Sequence, residues 1–185
     1  MPDNLFRNKY RIPSARAVWH DYDGGAYFVT ICTKDMAHFF GEIVDGEMCL
    51  TEIGRCADEC VRKMETLHND IYVPLYVVMP NHIHLILLID RCVTPVETPY
   101  YDVSTITNDR NDKMQEIANR CGLLSHIISR FKSAVTKYAN ENGISFAWQT
   151  RFHDRIIRDC DEMNGIAGYI ENNVAKWESD EMNDE

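Results

Sequence analysis

Two histidines one residue apart are the side chains whose types and spacing point most directly to chemistry. His82 and His84 lie in YVVMPNHIHLILLI, residues 76–89, a run rich in apolar and β-branched residues. Such a run is typical of a strand buried on both faces. Because side chains alternate across a strand, both imidazoles should project from one face and Ile83 from the other. Buried polar rings cost free energy unless they have partners, and one divalent metal would be a partner for both.

Tyr169 and Asn173 form a second pair, four residues apart and therefore on one face of the last predicted helix. A tyrosine hydroxyl, with a pKa of roughly 10, is a poor nucleophile at neutral pH. It becomes effective when it is held in line with a phosphorus whose oxygens contact a metal. The amide oxygen of Asn173 could complete a His/His/O set for Mg²⁺ or Mn²⁺. Taken singly, a helical tyrosine is more often a core residue and such an asparagine more often a cap.

Length and composition favour one domain covering residues 1–185. The chain is 45% apolar, which is enough for a core, and has no apolar run long enough for a membrane helix. Its N-terminus lacks the apolar centre of a signal peptide. Seven cysteines without a CxxC pair argue against a disulfide framework and fit a reducing compartment. We therefore expect a cytoplasmic protein without a membrane partner.

The net charge of −10 argues at first against nucleic acid as a partner. The charge is uneven, however. Residues 1–17 carry four basic side chains and one acidic, residues 128–158 carry six basic and two acidic, and the tail at 178–185 carries five acids and no base. Basic side chains near aromatic ones suit phosphates and stacked bases. The predicted DNA-binding residues are Lys132, Trp148, Arg151, Arg155 and Arg158, although Trp148 is equally suited to the core.

The pattern along the chain predicts an α+β domain with a mainly antiparallel sheet. Strands are predicted at 26–33, 71–79, 82–89 and, as short extended pieces, 144–148 and 155–158. Asp45-Gly46 predicts a hairpin within 41–50. Helices are predicted at 51–70, which opens with Thr51 as a candidate N-cap, at 117–141 and from Asp161 to 177. The remainder is an N-terminal arm at 1–24, an irregular insertion at 91–115 and a solvated acidic tail at 178–185.

The segment VVMPNHIHLIL resembles the HUH motif (His, bulky hydrophobic, His) of single-tyrosine HUH transposases. The whole chain is similar to the REP-associated tyrosine transposases and related insertion-sequence transposases. The further segments that carry this resemblance are YFVTICT at 27–33, FFGEIVDGEM at 39–48, EIGRCADEC at 52–60, FKSAVTKY at 131–138, WQTRFHDRIIRD at 148–159 and YIENNVAKW at 169–177. One difference is that Val174 stands where the family's YI-x-x-N-P ending has proline.

The resemblance implies a ferredoxin-like or RRM-like antiparallel sheet flanked by helices, the fold of HUH endonucleases. It implies metal-dependent nicking and rejoining of single-stranded or hairpin DNA through a 5′-phosphotyrosine intermediate. His82 and His84 match the family's metal ligands, Tyr169 its nucleophile and Asn173 its remaining polar ligand. The metal would be Mg²⁺ or Mn²⁺. Monomer and homodimer both stay open, because some relatives exchange the tyrosine helix between subunits.

Three alternatives compete with a transposase. A replication initiator or relaxase would often have a third histidine or a second tyrosine, and there is no tyrosine at 165 or 166. A structural zinc protein would need further ligands at short spacing, which the histidine pair lacks. A catalytically silent DNA-binding regulator derived from a transposase is the main alternative, and the presence of His82, His84, Tyr169 and Asn173 together argues against it.

Overall fold

A four-stranded antiparallel sheet forms the centre of the computed structural model, which describes residues 5–6, 10–11, 24–67, 70–89, 122–180 and 182–183. In chain order the elements are β1 (Leu5–Phe6), β2 (Tyr10–Arg11), β3 (Gly25–Cys32), β4 (Gly41–Val44), β5 (Glu47–Leu50), α1 (Glu52–Arg62), α2 (Met64–Leu67), β6 (Ile71–Val78), β7 (His82–Ile89), α3 (Gly122–Glu141), β8 (His153–Ile157) and α4 (Cys160–Glu171).

The sheet has the strand order β6-β7-β3-β8, and each neighbouring pair is antiparallel. Apart from the β4–β5 hairpin and the short α2, the elements β3, α1, β6, β7, α3 and β8 have the order βαββαβ, the ferredoxin-like arrangement. The predicted α+β class, with an antiparallel sheet flanked by helices, is therefore confirmed. The two strands that lie at the centre of the sheet are β3 and β7.

The two faces of the sheet bury two separate apolar clusters. Alternate residues of β7, including Ile83 and Leu85, join the larger cluster with α1 and α3. The opposite face packs Ile86 and Ile157 against Ile166 and Ile170 of α4. Full burial of an aliphatic side chain of this size contributes about 1.5–3 kcal/mol. This smaller cluster therefore sets where α4 lies on the sheet.

Two local signals in the sequence are confirmed. Asp45 and Gly46 adopt φ values of 52° and 79°, as the type I′ turn of a two-residue hairpin requires. Thr51 caps α1, and its side-chain oxygen accepts a hydrogen bond from Gly54 N at 3.1 Å. A Cβ at Gly54 would lie 2.0 Å from the carbonyl oxygen of Phe40, so only glycine permits this close approach.

Several predicted boundaries were wrong. The helix predicted at 51–70 ends at Arg62 and resumes at Met64–Leu67. The extended piece at 144–148 contains only an isolated bridge from Trp148 to Thr33, while the piece at 155–158 is the longer strand β8. The helix predicted at 117–141 ends at Glu141 as predicted, and its predicted start lies outside the described residues.

The last helix also differs from its prediction. It starts at Cys160, one residue before Asp161, and ends at Glu171 rather than continuing to 177. At its end, both the backbone N–H and the side-chain amide of Asn172 donate to Gly168 O. A 3₁₀ helix, Val174–Ser179, follows. Side-chain bonding of this kind competes with the helical pattern and favours a helix end.

The predicted insertion at 91–115 lies outside the described residues, as does most of the N-terminal arm. Of that arm, β1 and β2 pair antiparallel. The acidic tail is described at 178–180 and 182–183. Within these ranges, no helix combines the length and apolar character that a bilayer crossing would need.

We expect Gly165→Ala to raise the free energy of unfolding by about 0.5–1 kcal/mol, because glycine within a helix is that much less favourable than alanine. A Cβ at Gly165 would meet nothing within 4 Å. Gly46→Ala is the matched control, since it has equal space but a φ of +79°, and should destabilise by about 1–2 kcal/mol. Urea unfolding of both variants measures this. If the two variants changed the free energy of unfolding equally and in the same direction, backbone conformation would not be the cause.

Candidate active site

The imidazoles of His82 and His84 lie beside each other on the face of β7 that α4 covers. Their ring centroids are 4.4 Å apart, and the two residues are only 0% and 3% exposed. Ile83 and Leu85 project from the opposite face into the larger core. The predicted two-sided burial of this strand is therefore confirmed, with both rings on one side.

Each imidazole has a partner at its Nδ1 atom. His84 Nδ1 lies 2.8 Å from Thr30 Oγ1 on the neighbouring strand β3. His82 Nδ1 lies 2.7 Å from Asn81 Oδ1. Because an amide oxygen can only accept, His82 Nδ1 carries the hydrogen and donates it, which leaves a lone pair on Nε2. Hydrogen bonds of this kind orient histidine ligands in metal sites.

Tyr169 lies against this pair, with its hydroxyl 3.3 Å from His84 Nε2. Its ring makes edge contacts with His84 and with Phe28, at centroid separations of 5.2 and 6.1 Å. The residue is 42% exposed, so one side of the phenol contacts the histidine while the other faces solvent. All of these contacts lie within one chain.

The start of α4 is fixed by polar contacts to β8. Asp159 Oδ1 accepts from Glu162 N at 2.8 Å. The Glu162 carboxylate accepts from Arg158 N at 2.9 Å and forms an ion pair with Arg155. The Arg158 N–H and the charge of Arg155 both lower the pKa of Glu162. These contacts set the direction in which α4 returns across the sheet and so help to place Tyr169.

Asn173 is 1% exposed and lies just beyond α4. Its Nδ2 donates to Asp180 Oδ2 at 3.2 Å. Its carboxamide is close enough to raise the pKa of His82, although no hydrogen bond of normal geometry joins the two groups. Asn173 Oδ1 and His82 Nε2 are both buried without a hydrogen-bond partner. Because neither atom carries a hydrogen, the two cannot form a hydrogen bond with each other. A cation, by contrast, would accept a lone pair from both.

Burial keeps both histidines neutral. It lowers the pKa of His82 to about 4, against the opposing effects of Asp180 and Asn173. Burial, together with repulsion from His82 in its protonated form, lowers the pKa of His84 to about 2. Neutral imidazoles can bind a metal without first losing a proton. So weak a base as His84 is unsuited to deprotonating a phenol with a pKa of roughly 10, so the geometry favours a ligand role.

The donor set fits a divalent metal on its chemistry. Two imidazole nitrogens and one amide oxygen suit Mn²⁺, and Mg²⁺ at higher concentration. The unpartnered His82 Nε2 and Asn173 Oδ1 are the observation that supports this fit. Within the part of the chain that the structure describes, no group of three His, Cys, Asp or Glu residues could hold a metal, so the structure offers no zinc site of that composition there.

A cavity of about 520 Å³ opens beside the tyrosine and is lined by Tyr169, Asn173, Lys176, Ser179, Asp180 and Met182. The exposed Lys176 places a basic group there. The tail was predicted to be solvated. Glu178 and Ser179 are exposed, but for Asp180 and Met182 the prediction is wrong. Asp180 binds Asn173, and Met182 O accepts from Asn81 Nδ2 at 2.8 Å.

Four residues of the site were not predicted from the sequence: Thr30, Asn81, Lys176 and Asp180. Thr30 pairs with His84 across β3 and β7, and on its other side with His153 of β8. Paired residues share a face, so the exposed His153 belongs to the same row. Asn81 could have been found from its position next to His82 in the turn before β7. The contacts of Lys176 and Asp180 depend on how the chain folds after α4, which no local pattern indicates.

The predicted DNA-binding residues fall into two groups. Lys132 and Trp148 have structural contacts on the α3 side of the sheet. Lys132 Nζ donates to Gln149 O at 2.6 Å, and Trp148 Nε1 donates to Lys132 O at 3.1 Å. The Trp148 ring packs on Phe40, Phe131 and Phe146.

The three arginines are exposed. Arg155 pairs with Phe28 across the sheet and so projects from the face that carries the histidines. A DNA contact for any residue of either group stays a prediction.

The chain is distantly similar to several known proteins. No family model matches the chain. An uncharacterized protein of Haemophilus influenzae is 29% identical over 160 residues, which cover 85% of this chain and 84% of that protein.

Two solved structures are also similar. One is a REP-associated tyrosine transposase bound to a REP hairpin, with 16% identity, a TM-score of 0.49 and coverage of 88% of this chain and 73% of that chain. The other is a Deinococcus radiodurans protein provisionally described as a transposase, with 16% identity, a TM-score of 0.36 and coverage of 85% and 95%. At these values neither structure assigns a function to this chain.

We expect acid to destabilise the protein through its two histidines. Below the unfolded value of 6.5 the unfolded chain takes up protons, while the folded imidazoles, with pKa values of about 4 and about 2, stay neutral. The free energy of unfolding should therefore fall by about 1.4 kcal/mol per pH unit for each histidine between about pH 6 and pH 5. Denaturant unfolding of the protein and of His84→Gln measures this. If the free energy of unfolding of His84→Gln depended on pH as steeply as that of the unaltered protein, burial of His84 would not be a cause of the acid destabilisation.

Proposed function

We propose that this protein is a metal-dependent single-strand DNA endonuclease of the HUH transposase type, which nicks and rejoins DNA through Tyr169. One observation carries the proposal. The Tyr169 hydroxyl lies 3.3 Å from His84 Nε2, next to two buried atoms without partners, His82 Nε2 and Asn173 Oδ1. The motif resemblance of VVMPNHIHLIL and YIENNVAKW to single-tyrosine HUH transposases supports the same reaction.

His82, His84 and Asn173 are the residues that would hold the metal. When bound, a divalent metal would neutralise charge on the oxygens of the scissile phosphate. The protein's own contribution is positioning. The two imidazoles are held by Thr30 and Asn81, and α4 holds the phenol beside them by packing its isoleucines on the sheet.

Tyr169 Oη is the proposed nucleophile. It forms a bond to phosphorus, and the bond from phosphorus to the 3′ oxygen of the preceding nucleotide breaks. The phenol loses one proton and the leaving 3′ oxygen gains one, so the step is proton-neutral overall. The product is a 5′-phosphotyrosine link and a free 3′-hydroxyl. Attack by another 3′-hydroxyl reverses the step and joins strands, without a nucleotide cofactor.

The proposed substrate is single-stranded or hairpin DNA. Its phosphates would approach from the cavity beside Tyr169, where Lys176 is exposed. Arg155 lies on the same face of the sheet, and although it pairs with Glu162, its side chain is 68% exposed. Basic side chains around an exposed phenol suit a phosphate backbone. The alternative, a catalytically silent DNA-binding regulator, would bind such DNA but form no covalent product.

Tyr169→Phe should abolish covalent capture of DNA, because it removes the attacking oxygen, and should change DNA affinity less than about threefold, because the ring remains. The assay incubates hairpin-bearing single-stranded DNA with protein and Mn²⁺ and detects a denaturation-resistant adduct on a gel. Tyr72→Phe is the matched control, since Tyr72 is similarly exposed, at 49% against 42%, and should leave adduct formation unchanged. An adduct formed by Tyr169→Phe would refute the assignment.

Mn²⁺ should bind in the absence of DNA and release almost no protons near pH 6.5, because both histidines are already neutral. Calorimetry in buffers of different ionisation enthalpy measures the proton count. Asn173→Ala should weaken Mn²⁺ binding by at least about 10-fold. Asn164→Ala, an exposed position of α4, is the control and should bind as the unaltered protein does. Equal affinities for the two variants would exclude Asn173 as a ligand.

A further inference from the structure

Two residues of the C-terminal tail connect both ends of the candidate metal site. Asn173 Nδ2 donates to Asp180 Oδ2 at 3.2 Å, and Met182 N donates to Asp180 Oδ1 at 2.9 Å. Met182 O then accepts from Asn81 Nδ2 at 2.8 Å, and Asn81 Oδ1 faces His82 Nδ1 at 2.7 Å. A continuous chain of hydrogen bonds therefore runs from one predicted ligand, through the tail, to another.

The direction of every bond in this chain is fixed by groups that can only accept. A carboxylate such as Asp180 has no hydrogen to donate, so it must receive the amide N–H of Asn173. Met182 O is a backbone carbonyl, so it must receive the amide N–H of Asn81. In each asparagine the amide oxygen consequently points the other way, which turns Asn81 Oδ1 to His82.

We propose that Asp180 and Asn81 are positioning residues that present lone pairs of Asn173 and His82 to a cation. Asp180 orients the Asn173 amide so that Oδ1 is available, and Asn81 holds the hydrogen of His82 on Nδ1 so that Nε2 is available. The identity of the cation as a catalytic metal rests on the proposed function. The orientation of the two groups does not.

The surroundings of Asn81 leave its side chain little freedom. Asn81 is fully buried, and its backbone oxygen accepts from both Thr33 N and Thr33 Oγ1 at 2.9 Å. The opposite amide orientation would place its N–H₂ against the hydrogen of His82 Nδ1 and its oxygen against Met182 O. Asn81 and His82 are both 0% exposed, so water cannot compensate for a lost hydrogen bond between them.

The tautomer of His82 tests the inference without any metal. Long-range ¹H–¹⁵N spectra of the metal-free full-length protein at neutral pH should show hydrogen on Nδ1 of His82 and a lone pair on Nε2. Asn81→Ala should produce a substantial Nε2–H population. Asp180→Ala should do so as well, because it releases Met182 and with it Asn81. Hydrogen on Nε2 in the unaltered protein would overturn the inference.

Affinity for Mn²⁺ provides the second measurement. Asp180→Ala should weaken binding about 10- to 100-fold, as expected when a group that orients a ligand is lost. Glu178→Ala is the matched control, since it removes an exposed acid from the same tail, and should bind as the unaltered protein does. Equal affinities for Asp180→Ala and Glu178→Ala would overturn the positioning role.

The two proposals fail in different ways. If the unaltered protein binds no Mn²⁺, the proposed function fails, and the tautomer of His82 alone decides the inference. If Asn81→Ala does not fold, Asp180→Ala decides it, because Asp180 is only partly buried and lies outside both apolar clusters.

Discussion

Burial of two imidazoles on an inner strand is the constraint on which the rest of this site depends. An ionised histidine there would lose its hydration, so both rings stay neutral, with pKa values of about 4 and about 2. Neutral rings in an apolar setting still need hydrogen-bond partners. Thr30 and Asn81 provide them at Nδ1. The Nε2 atom of His84 lies beside the Tyr169 hydroxyl, and the Nε2 atom of His82 is buried without a hydrogen-bond partner.

The order of the elements explains how a tyrosine so late in the chain reaches those rings. In a βαββαβ domain the two crossover helices, α1 and α3, cover one face of the sheet. The opposite face, which carries the histidines, is covered by α4, which follows β8 directly and buries Ile166 and Ile170 there. Tyr169 lies near the end of α4 and Asn173 just beyond it, so both lie beside the histidine pair.

Much of this could be predicted from the sequence wherever the signal was local. The alternation in 82–89 predicted which side each histidine occupies, and Asp45-Gly46 and Thr51 predicted a hairpin and a cap. What the sequence did not indicate depends on contacts between distant residues. The DNA contact of Lys132 stays a prediction, but no local pattern indicated that its ammonium donates to the backbone oxygen of Gln149. The tail looked solvated because it is acidic, yet Asp180 serves as an acceptor for a buried amide.

The buried lone pairs also bear on whether the chain is an enzyme or a silent DNA-binding regulator. A buried acceptor without a partner costs about 1–3 kcal/mol, and His82 Nε2 and Asn173 Oδ1 are two of them. Apolar residues of similar size at these positions would remove that cost, although Asn81 and Asp180 would then need other hydrogen-bond donors. A protein that only bound DNA would have no use for either lone pair. Unsatisfied buried polar groups of this kind are typical of functional sites. Here they lie where the Tyr169 phenol meets the histidines.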